Sequence, residues 1–385
     1  MGLRILNLRE KGAWMNRLLT TLCLAASLSA ANILAADFVN KDILISAEDA
    51  VKLIGNPKVM FVSGDSEDIY KLGHIKGSVE MYAHHLHHSD IDGEMHCAPL
   101  YRCIDDAEQT IGKKGISNDM TVIAYDDFKG PNATGVYSFF DSYGHKNVKV
   151  LNGGRSAMMA VDPAQKEYDA LNKEFKAGTK AQKDAKEALK KEGADKSALD
   201  AIIVKAQANS VALKAKMTEV EKRLLVVKGD EVVKPKTYKI DPKKIKWNVI
   251  ADKVEVKHAM DDILKNGSKS KYVIIDSRGM GEIIGERKMD NVARGGHVPG
   301  ATFIEWSQIS DADKKLSFKS ADEIQKVYDN YGITKDKTIY AYCHVGAGRS
   351  SEHITALQLL GYQNVKVFTG SWDVWGNDMN LPIKR

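Results

Sequence analysis

The strongest constraint on the fold is an internal repeat. Thr121-Val-Ile-Ala-Tyr125 and Thr338-Ile-Tyr-Ala-Tyr342 are short apolar runs rich in β-branched and aromatic residues, each followed by a glycine-bearing loop. Downstream, Gly144-His-Lys-Asn-Val-Lys-Val-Leu-Asn-Gly153 is matched by Gly361-Tyr-Gln-Asn-Val-Lys-Val-Phe-Thr-Gly370. Asp126 to Cys343 and Gly144 to Gly361 are both 217 residues apart, so the intervening loops have equal length. Lys58-Val-Met-Phe-Val62 and Tyr272-Val-Ile-Ile275 read as further buried strands, and Gly73-His-Ile-Lys-Gly77 mirrors Gly296-His-Val-Pro-Gly300. Helical patterns alternate with these strands. The expectation is a duplicated α/β domain, each copy a mostly parallel sheet flanked by helices. We place the copies at 43–162 and 238–385.

The stretch between the copies has another period. Asp162-Pro163 reads as a helix start, with a capping aspartate and proline in the first turn. Tyr168, Leu171, Phe175, Ala185 and Leu189 fall on heptad spacing, Gly193 can end the helix and Asp195 can cap the next. Leu199, Ile202, Ala206, Leu213, Met217, Val220 and Leu224 continue the stripe. Residues 163–228 are therefore expected to form an antiparallel, coiled-coil-like helical hairpin inserted between the domains. Such a hairpin is either a rigid spacer or an arm for self-association or docking.

From Met15 the chain reads as a secretory signal: a short basic start, an apolar core and a small-residue end at Leu34-Ala35-Ala36. We take 1–36 as signal peptide with the true start at Met15, and expect a periplasmic protein. Residues 1–36 carry four basic residues and one acid, so cleavage lowers the net charge from +5 to +2. Nothing in that balance suggests a nucleic-acid partner. Stable membrane insertion is not expected either, because the apolar run is short and interrupted by Ser and Thr. Three cysteines then remain, Cys97, Cys103 and Cys343. In an oxidising compartment Cys97 and Cys103, close in one loop-like segment, would pair and leave Cys343 free. His84, His85, His87, His88 and His96 surround that segment. Their spacing matches no standard ligand pattern, so no metal and no cofactor is expected.

Cys343 stands where the apolar strand ends. The residues His344, Val345, Gly346, Ala347, Gly348, Arg349 and Ser350 follow, and a helical pattern begins with them. Two glycines let the loop curl into a nest of backbone N–H groups, a helix N-terminus adds partial positive charge, and Arg349 adds a full one. Positive charge of this kind favours the thiolate and holds an anion beside it. That is the design of a nucleophilic cysteine acting on an anionic substrate, with His344–Ser350 as the binding loop. The matching position in the first copy is Asp126, which has no thiol, so the first domain is expected to be inert.

Both copies resemble rhodanese domains. The resemblance rests on Asp276-Ser-Arg278, Gly295-Gly-His-Val-Pro-Gly-Ala301, the Cys343 loop, and Gly370-Ser-Trp-Asp-Val-Trp375 followed by Leu381-Pro382. A tandem with an inactive first half is similar to the thiosulfate and mercaptopyruvate sulfurtransferases. The resemblance implies that Cys343 attacks a sulfane sulfur, stores it as a persulfide and passes it to a thiol or cyanide. Asp276, Arg278, Glu282, His297 and Trp375 stand as candidates around it. Two departures follow from the same resemblance. The cradle has seven residues where the family usually has six, and that length is similar to the cell-cycle phosphatases on this fold. Glu282 and Val345 stand where the tandem enzymes carry an arginine and a lysine. Weak use of thiosulfate is therefore expected, with longer donors such as polysulfide preferred. Two alternatives remain open: a phosphatase or arsenate-reductase type of oxyanion enzyme, for which Asp276 and Glu282 are the available acids, and a non-catalytic sulfur carrier or binding module.

Overall fold

The computed structural model describes residues 38–87 and 103–385. The segment read as a signal, and Cys97, His88 and His96, lie outside the described residues. Among the described residues, no helix is long and apolar enough to cross a membrane.

In the first domain the elements are β1 (Leu44–Ile45), α1 (Ala47–Ala50), β2 (Val59–Ser63), α2 (Glu67–Leu72), β3 (His74–Ile75), β4 (Val79–Glu80) and α3 (Ala83–His87). After the undescribed segment come α4 (Ile104–Lys113), β5 (Thr121–Tyr125), α5 (Pro131–Ser142), β6 (Val148–Leu151) and α6 (Gly154–Val161). Two long helices follow, α7 (Pro163–Ala188) and α8 (Lys196–Glu221), then β7 (Val226–Val227). The second domain contains β8 (Ile250–Ala251), α9 (Lys253–Asn266), β9 (Tyr272–Asp276), α10 (Met280–Ile283), β10 (Thr302–Phe303) and α11 (Ala321–Asn330). It continues with β11 (Thr338–Tyr342), α12 (Arg349–Leu359), β12 (Val365–Phe368) and α13 (Ser371–Asn377).

Each domain has a five-stranded sheet, and the two share one strand order. The first runs β1-β6-β5-β2-β4 and the second β8-β12-β11-β9-β10, with every pairing parallel. In the second sheet β11 is central, with Ile339 opposite Val273 on one side and Val365 on the other. Side chains alternate across a strand. Ile339 and Ala341 therefore join Ile354 and Leu357 of α12, while Tyr340 and Tyr342 join Val256 and Met260 of α9 with Trp372 and Trp375. Burial on both faces explains why these strands read as continuous apolar runs.

Both copies turn the helix after the central strand inward, so α5 and α12 pack together. One apolar cluster runs from Val122 and Phe139 of the first domain to Ile339 and Leu357 of the second. Each large apolar side chain buried there contributes about 1.5–3 kcal/mol, so parting the domains would expose several such terms at once. Polar groups also cross the seam. The Ser317 amide donates to Asn152 Oδ1 at 3.0 Å, and the Gly153 amide donates to Ser317 Oγ at 3.2 Å. Glu352 of α12 is buried there, accepting from Ser310 Oγ at 2.8 Å. Burial first, and then the charge of Asp126, pushes its carboxyl well above the usual range.

Helices α7 and α8 start at Asp162 and Asp195, whose side chains accept from the amides of Ala164 (2.8 Å) and Ala198 (3.1 Å). Between them Gly193 has φ +80°, a left-handed turn that favours glycine. Arg223, just past α8, reaches Glu167 at 2.9 Å near the start of α7, so the two run antiparallel. Of the expected stripe, Ala185, Ala206 and Val220 are buried, whereas Ile202 keeps 45% of its surface exposed.

The linker after α8 differs from the sequence reading, which began the second domain at residue 238. β7 pairs antiparallel with β3 of the first domain, matching His74 to Val227. Tyr238 is buried and hydrogen-bonded to His145 at 2.9 Å, and the Ile240 amide donates to Glu108 at 2.8 Å. Residues 238–246 thus complete the first domain before the second sheet starts. The Tyr238 ring packs against Phe140 and His145 of the first domain.

Asp126 sits at the end of β5 with its carboxyl accepting from the amides of Gly130 (2.9 Å) and Ala133 (3.2 Å). Burial, then the charges of Asp65 and Asp127, outweigh those donors and push it up to about 8. A folded-state value above the unfolded one means the native state binds the proton more tightly. This contribution is full below about pH 4 and is lost as the pH rises through about 8. Asp126→Asn should therefore flatten the fall in stability between those limits, and should exceed wild type at pH 8 by about 1 kcal/mol or more. Denaturant midpoints across pH check this; parallel profiles for the two proteins would refute it.

Candidate active site

The site is assembled where β11 stops. The first turn of α13 holds the loop from outside: the amides of Trp372, Asp373 and Gly370 donate to the carbonyls of Cys343 (3.1 Å), His344 (2.9 Å) and Val345 (3.2 Å). Ser371 Oγ accepts from the Cys343 amide at 3.2 Å and donates to Phe368 O at 2.7 Å. Ser371 does this from φ +44°, an uncommon backbone state for a residue with a side chain. No role was read for Ser371 in the sequence; the only signal was its place after Gly370.

Gly346 and Gly348 have φ +90° and +81°. A Cβ on Gly346 would also lie 2.7 Å from Phe368 O, so only glycine fits against β12 there. Gly348 meets the other domain: a Cβ on Gly135 of α5 would stand 3.1 Å from the Gly348 nitrogen. The first domain thereby packs directly against the cradle loop.

Cys343 is free and 1% exposed. Its Sγ lies 3.2 Å from Ala347 O, to which the thiol donates, and 3.4 Å from Ser350 Oγ, which donates to sulfur. Val345 and Ala347 are buried in the shared core, so their side chains support the loop and only their backbone can serve a ligand.

Arg349 begins α12. The sequence offers its charge to a bound anion; in the structure the guanidinium is engaged by a carboxylate of the same chain. Nη1 donates to Glu282 Oε2 at 2.6 Å and Nη2 donates to Oε1 at 3.2 Å. Arg287 adds a bond to Oε2 at 3.1 Å. Burial opposes the charge on Glu282, yet the bonds and charge of Arg349, with Arg278 and Arg287, hold its carboxyl below the usual range. Burial likewise opposes the charge on Arg349, and Glu282 with the Cys343 sulfur outweighs it.

The remaining candidates support the site from beneath. Arg278 is buried and donates to Asp276 Oδ1 (2.9 Å) and Oδ2 (2.7 Å) and to Gly296 O (2.7 Å). Its guanidinium lies 4.5 Å from the Trp372 ring and 5.3 Å from that of Tyr342. Tyr342 OH also bonds Asp276, and its backbone carbonyl accepts from the Ser277 hydroxyl. This network joins the ends of β9 and β11, and the tyrosine's part in it was not foreseen. His297 is bonded through Nδ1 to Ile283 O at 2.9 Å, and Trp375 donates to Pro382 O at 2.8 Å. Both side chains are buried. They lie in the core because backbone carbonyls satisfy their polar atoms.

In the first domain Asp126 fills the equivalent loop with its own carboxyl, as the two amide bonds above describe. Cys103 is disulfide-bonded, while Cys97, the partner expected for it, is not among the described residues. Among the described residues no group of three or more His, Cys, Asp or Glu could hold a metal ion.

Removing Arg278 would leave Asp276 buried with only Tyr342 and an amide as partners. Arg278→Ala should cost about 3–5 kcal/mol, the usual effect of orphaning one half of a buried ion pair. A fall in the urea midpoint of that size checks it; a loss under about 1 kcal/mol, the scale of an exposed pair, would overturn it.

Comparison with known proteins agrees with this architecture. The rhodanese-like domain family matches residues 46–160 and 259–378, more than half of the chain. The sulfur carrier protein TtuD of Thermus thermophilus is 27% identical over 352 residues, covering 90% of this chain and 98% of that protein. Among solved structures, SseA of Escherichia coli, a 3-mercaptopyruvate sulfotransferase, is similar at TM-score 0.58 and 18% identity, covering 86% of this chain and 98% of that one. The anaerobic ergothioneine biosynthesis enzyme of Chlorobium limicola gives 0.60 at 20% identity, over 90% of this chain and 71% of that one. At those identities the two structures speak to the fold alone. The chain belongs to the rhodanese family, as a tandem of two rhodanese-like domains of the sulfurtransferase and sulfur-carrier type.

Proposed function

We propose that this protein is a periplasmic sulfurtransferase that moves a sulfane sulfur from a small anionic donor to a thiol or cyanide acceptor through a Cys343 persulfide. The observation that carries the reading is the free Cys343 at the end of β11, with Ser350 donating to its sulfur and α12 starting six residues on. In the first half-reaction the Cys343 thiolate attacks the terminal sulfur of the donor. A new S–S bond forms to Sγ, the donor's own bond to that sulfur breaks, and its electron pair leaves with the shortened donor. In the second half-reaction a thiolate or cyanide attacks the outer sulfur, and Cys343 is released as thiolate. No external oxidant or reductant is needed. The loop amides, the N-terminus of α12 and the Ser350 hydroxyl are the groups available to stabilise the persulfide anion.

The disulfide at Cys103 and the signal-like N-terminus both favour an oxidising, exported location. The α7–α8 hairpin, which contributes nothing to the cradle, is free to serve a partner or a second copy. Oxyanion hydrolysis is less well supported. A phosphatase needs an acid to protonate its leaving group, and both available carboxyls are taken, Asp276 by Arg278 and Glu282 by Arg349.

The test uses purified protein, mass spectrometry and a donor panel of polysulfide, mercaptopyruvate, thiosulfate and an aryl phosphate. Wild type should gain one sulfur on the Cys343 peptide and lose it on addition of acceptor thiol. Cys343→Ser should gain none and fall to the buffer background, since a serine hydroxyl cannot store a sulfane sulfur. Cys97→Ser should keep its turnover per folded molecule. Persulfide formation without turnover would reduce the reading to a carrier, and turnover of the aryl phosphate with no persulfide would overturn it.

A further inference from the structure

Glu282 is 5% exposed, and every side chain that bonds its carboxylate is an arginine. Both oxygens are engaged by the Arg349 fork in the side-by-side geometry that a sulfonate or phosphate would use. Arg349 stands six residues after Cys343 at the start of α12, and the Cys343 sulfur helps to hold its charge. The cradle's oxyanion clamp is therefore already filled by a carboxylate of the same chain. A donor presenting sulfonate oxygens must displace Glu282, which would leave that buried carboxylate with Arg287 alone. The side chain of Arg287 is 68% exposed, so this is a weak replacement partner. A donor built only of sulfur atoms asks nothing of the fork. Its terminal sulfur needs the Cys343 Sγ and the loop amides, none of which Glu282 contacts.

The sulfur itself points the same way. Cys343 is enclosed, with Ala347 O and Ser350 Oγ both within 3.4 Å of Sγ. A thin chain of sulfur atoms can approach so confined a nucleophile, whereas three oxygens around the adjoining atom add bulk where the clamp is occupied. The charge of Glu282 does not lapse under ordinary conditions, because its arginine partners hold it ionised.

We propose that Glu282 determines substrate specificity by occupying the Arg349 fork, so that the site takes all-sulfur donors, polysulfide or an alkyl persulfide, and rejects donors that end in an oxyanion. The identity of the donor rests on the sulfurtransferase reading above; the rejection of oxyanions does not. Transfer proceeds as already balanced: the terminal sulfur bonds to Sγ, and its former partner leaves as the shortened polysulfide or the alkyl thiolate.

Two measurements keep the two readings apart. The first uses inorganic sulfate as a probe and needs no sulfur chemistry. Melting temperatures are followed against sodium sulfate, with sodium chloride at equal ionic strength as reference. This is done for wild type, Glu282→Gln, and Glu282→Gln combined with Arg349→Met. Sulfate should raise the melting temperature of Glu282→Gln well beyond its effect on wild type, and the double variant should lose the gain. An equal response in wild type and Glu282→Gln overturns the proposal. If the glutamine variant does not fold, Glu282→Asp, with a shorter reach to Arg349, should show an intermediate sulfate response, and a wild-type response there overturns the proposal equally.

The second measurement compares donors by kcat/KM for persulfide formation. The preference of wild type for polysulfide over thiosulfate should fall about tenfold or more in Glu282→Gln, through KM for thiosulfate, which is the scale of one charge-assisted hydrogen bond. An unchanged preference overturns the proposal. A sulfate response in Glu282→Gln with no persulfide from any donor would uphold the oxyanion gate and overturn the sulfurtransferase reading.

Discussion

Strand β11 is buried on both faces, and the chemistry hangs from the point where it ends. Its pairing with β9 and β12 and its alternating contacts with α9 and α12 leave it no freedom to slide. A one-residue shift would swap Tyr342 with Ala341 between two unlike cores. Beneath the end of the strand, the Asp276–Arg278 pair and the Tyr342 hydroxyl tie β11 to β9. Above it, three amides in the first turn of α13 hold three successive loop carbonyls. The sulfur is thus positioned by the packing of a whole domain together with the hydrogen bonds that Cys343 makes to Ser371, Ala347 and Ser350.

The two halves show what a duplicated fold keeps and what it gives up. Strand order, helix placement and loop length at the end of the central strand are retained. At the position of Cys343 the first half carries Asp126, whose carboxyl accepts from the amides of its own loop. The first half still matters through its surface. Gly135 admits the Gly348 backbone, and the core clusters of the two halves are continuous. In this tandem the first copy backs the loop that carries Cys343.

Charge at the mouth of the cradle follows a different logic from charge beneath it. Arg278 is sealed between Tyr342 and Trp372 and serves the fold, whereas Arg349 stands at the start of α12 with Glu282 in its fork. A carboxylate held this way keeps the guanidinium oriented and desolvated without any ligand. It also makes any external oxyanion compete with a partner that is always present, which is a way of building specificity by penalising the wrong substrate.

The repeat, the parallel sheets, the lone thiol at a strand end and the glycines beside it can all be read from the amino-acid order. All of these depend on period, on residue type or on the backbone freedom of one position, and such signals are local. The hairpin helices 163–188 and 196–221 were legible for the same reason, since capping aspartates and a terminal glycine act within a turn. The remaining features depend on contacts between distant parts of the chain. The pairing of Glu282 with Arg349 spans 67 residues, and Ser371 reaches Cys343 across 28. His297 and Trp375 find their partners in the backbone carbonyls of Ile283 and Pro382, and residues 238–246 pack on the first domain although they follow the hairpin. In each case an isolated residue type was compatible with several partners. Which partner it met was settled by the free energy of packing two whole domains, and that is not written in any single stretch of the chain.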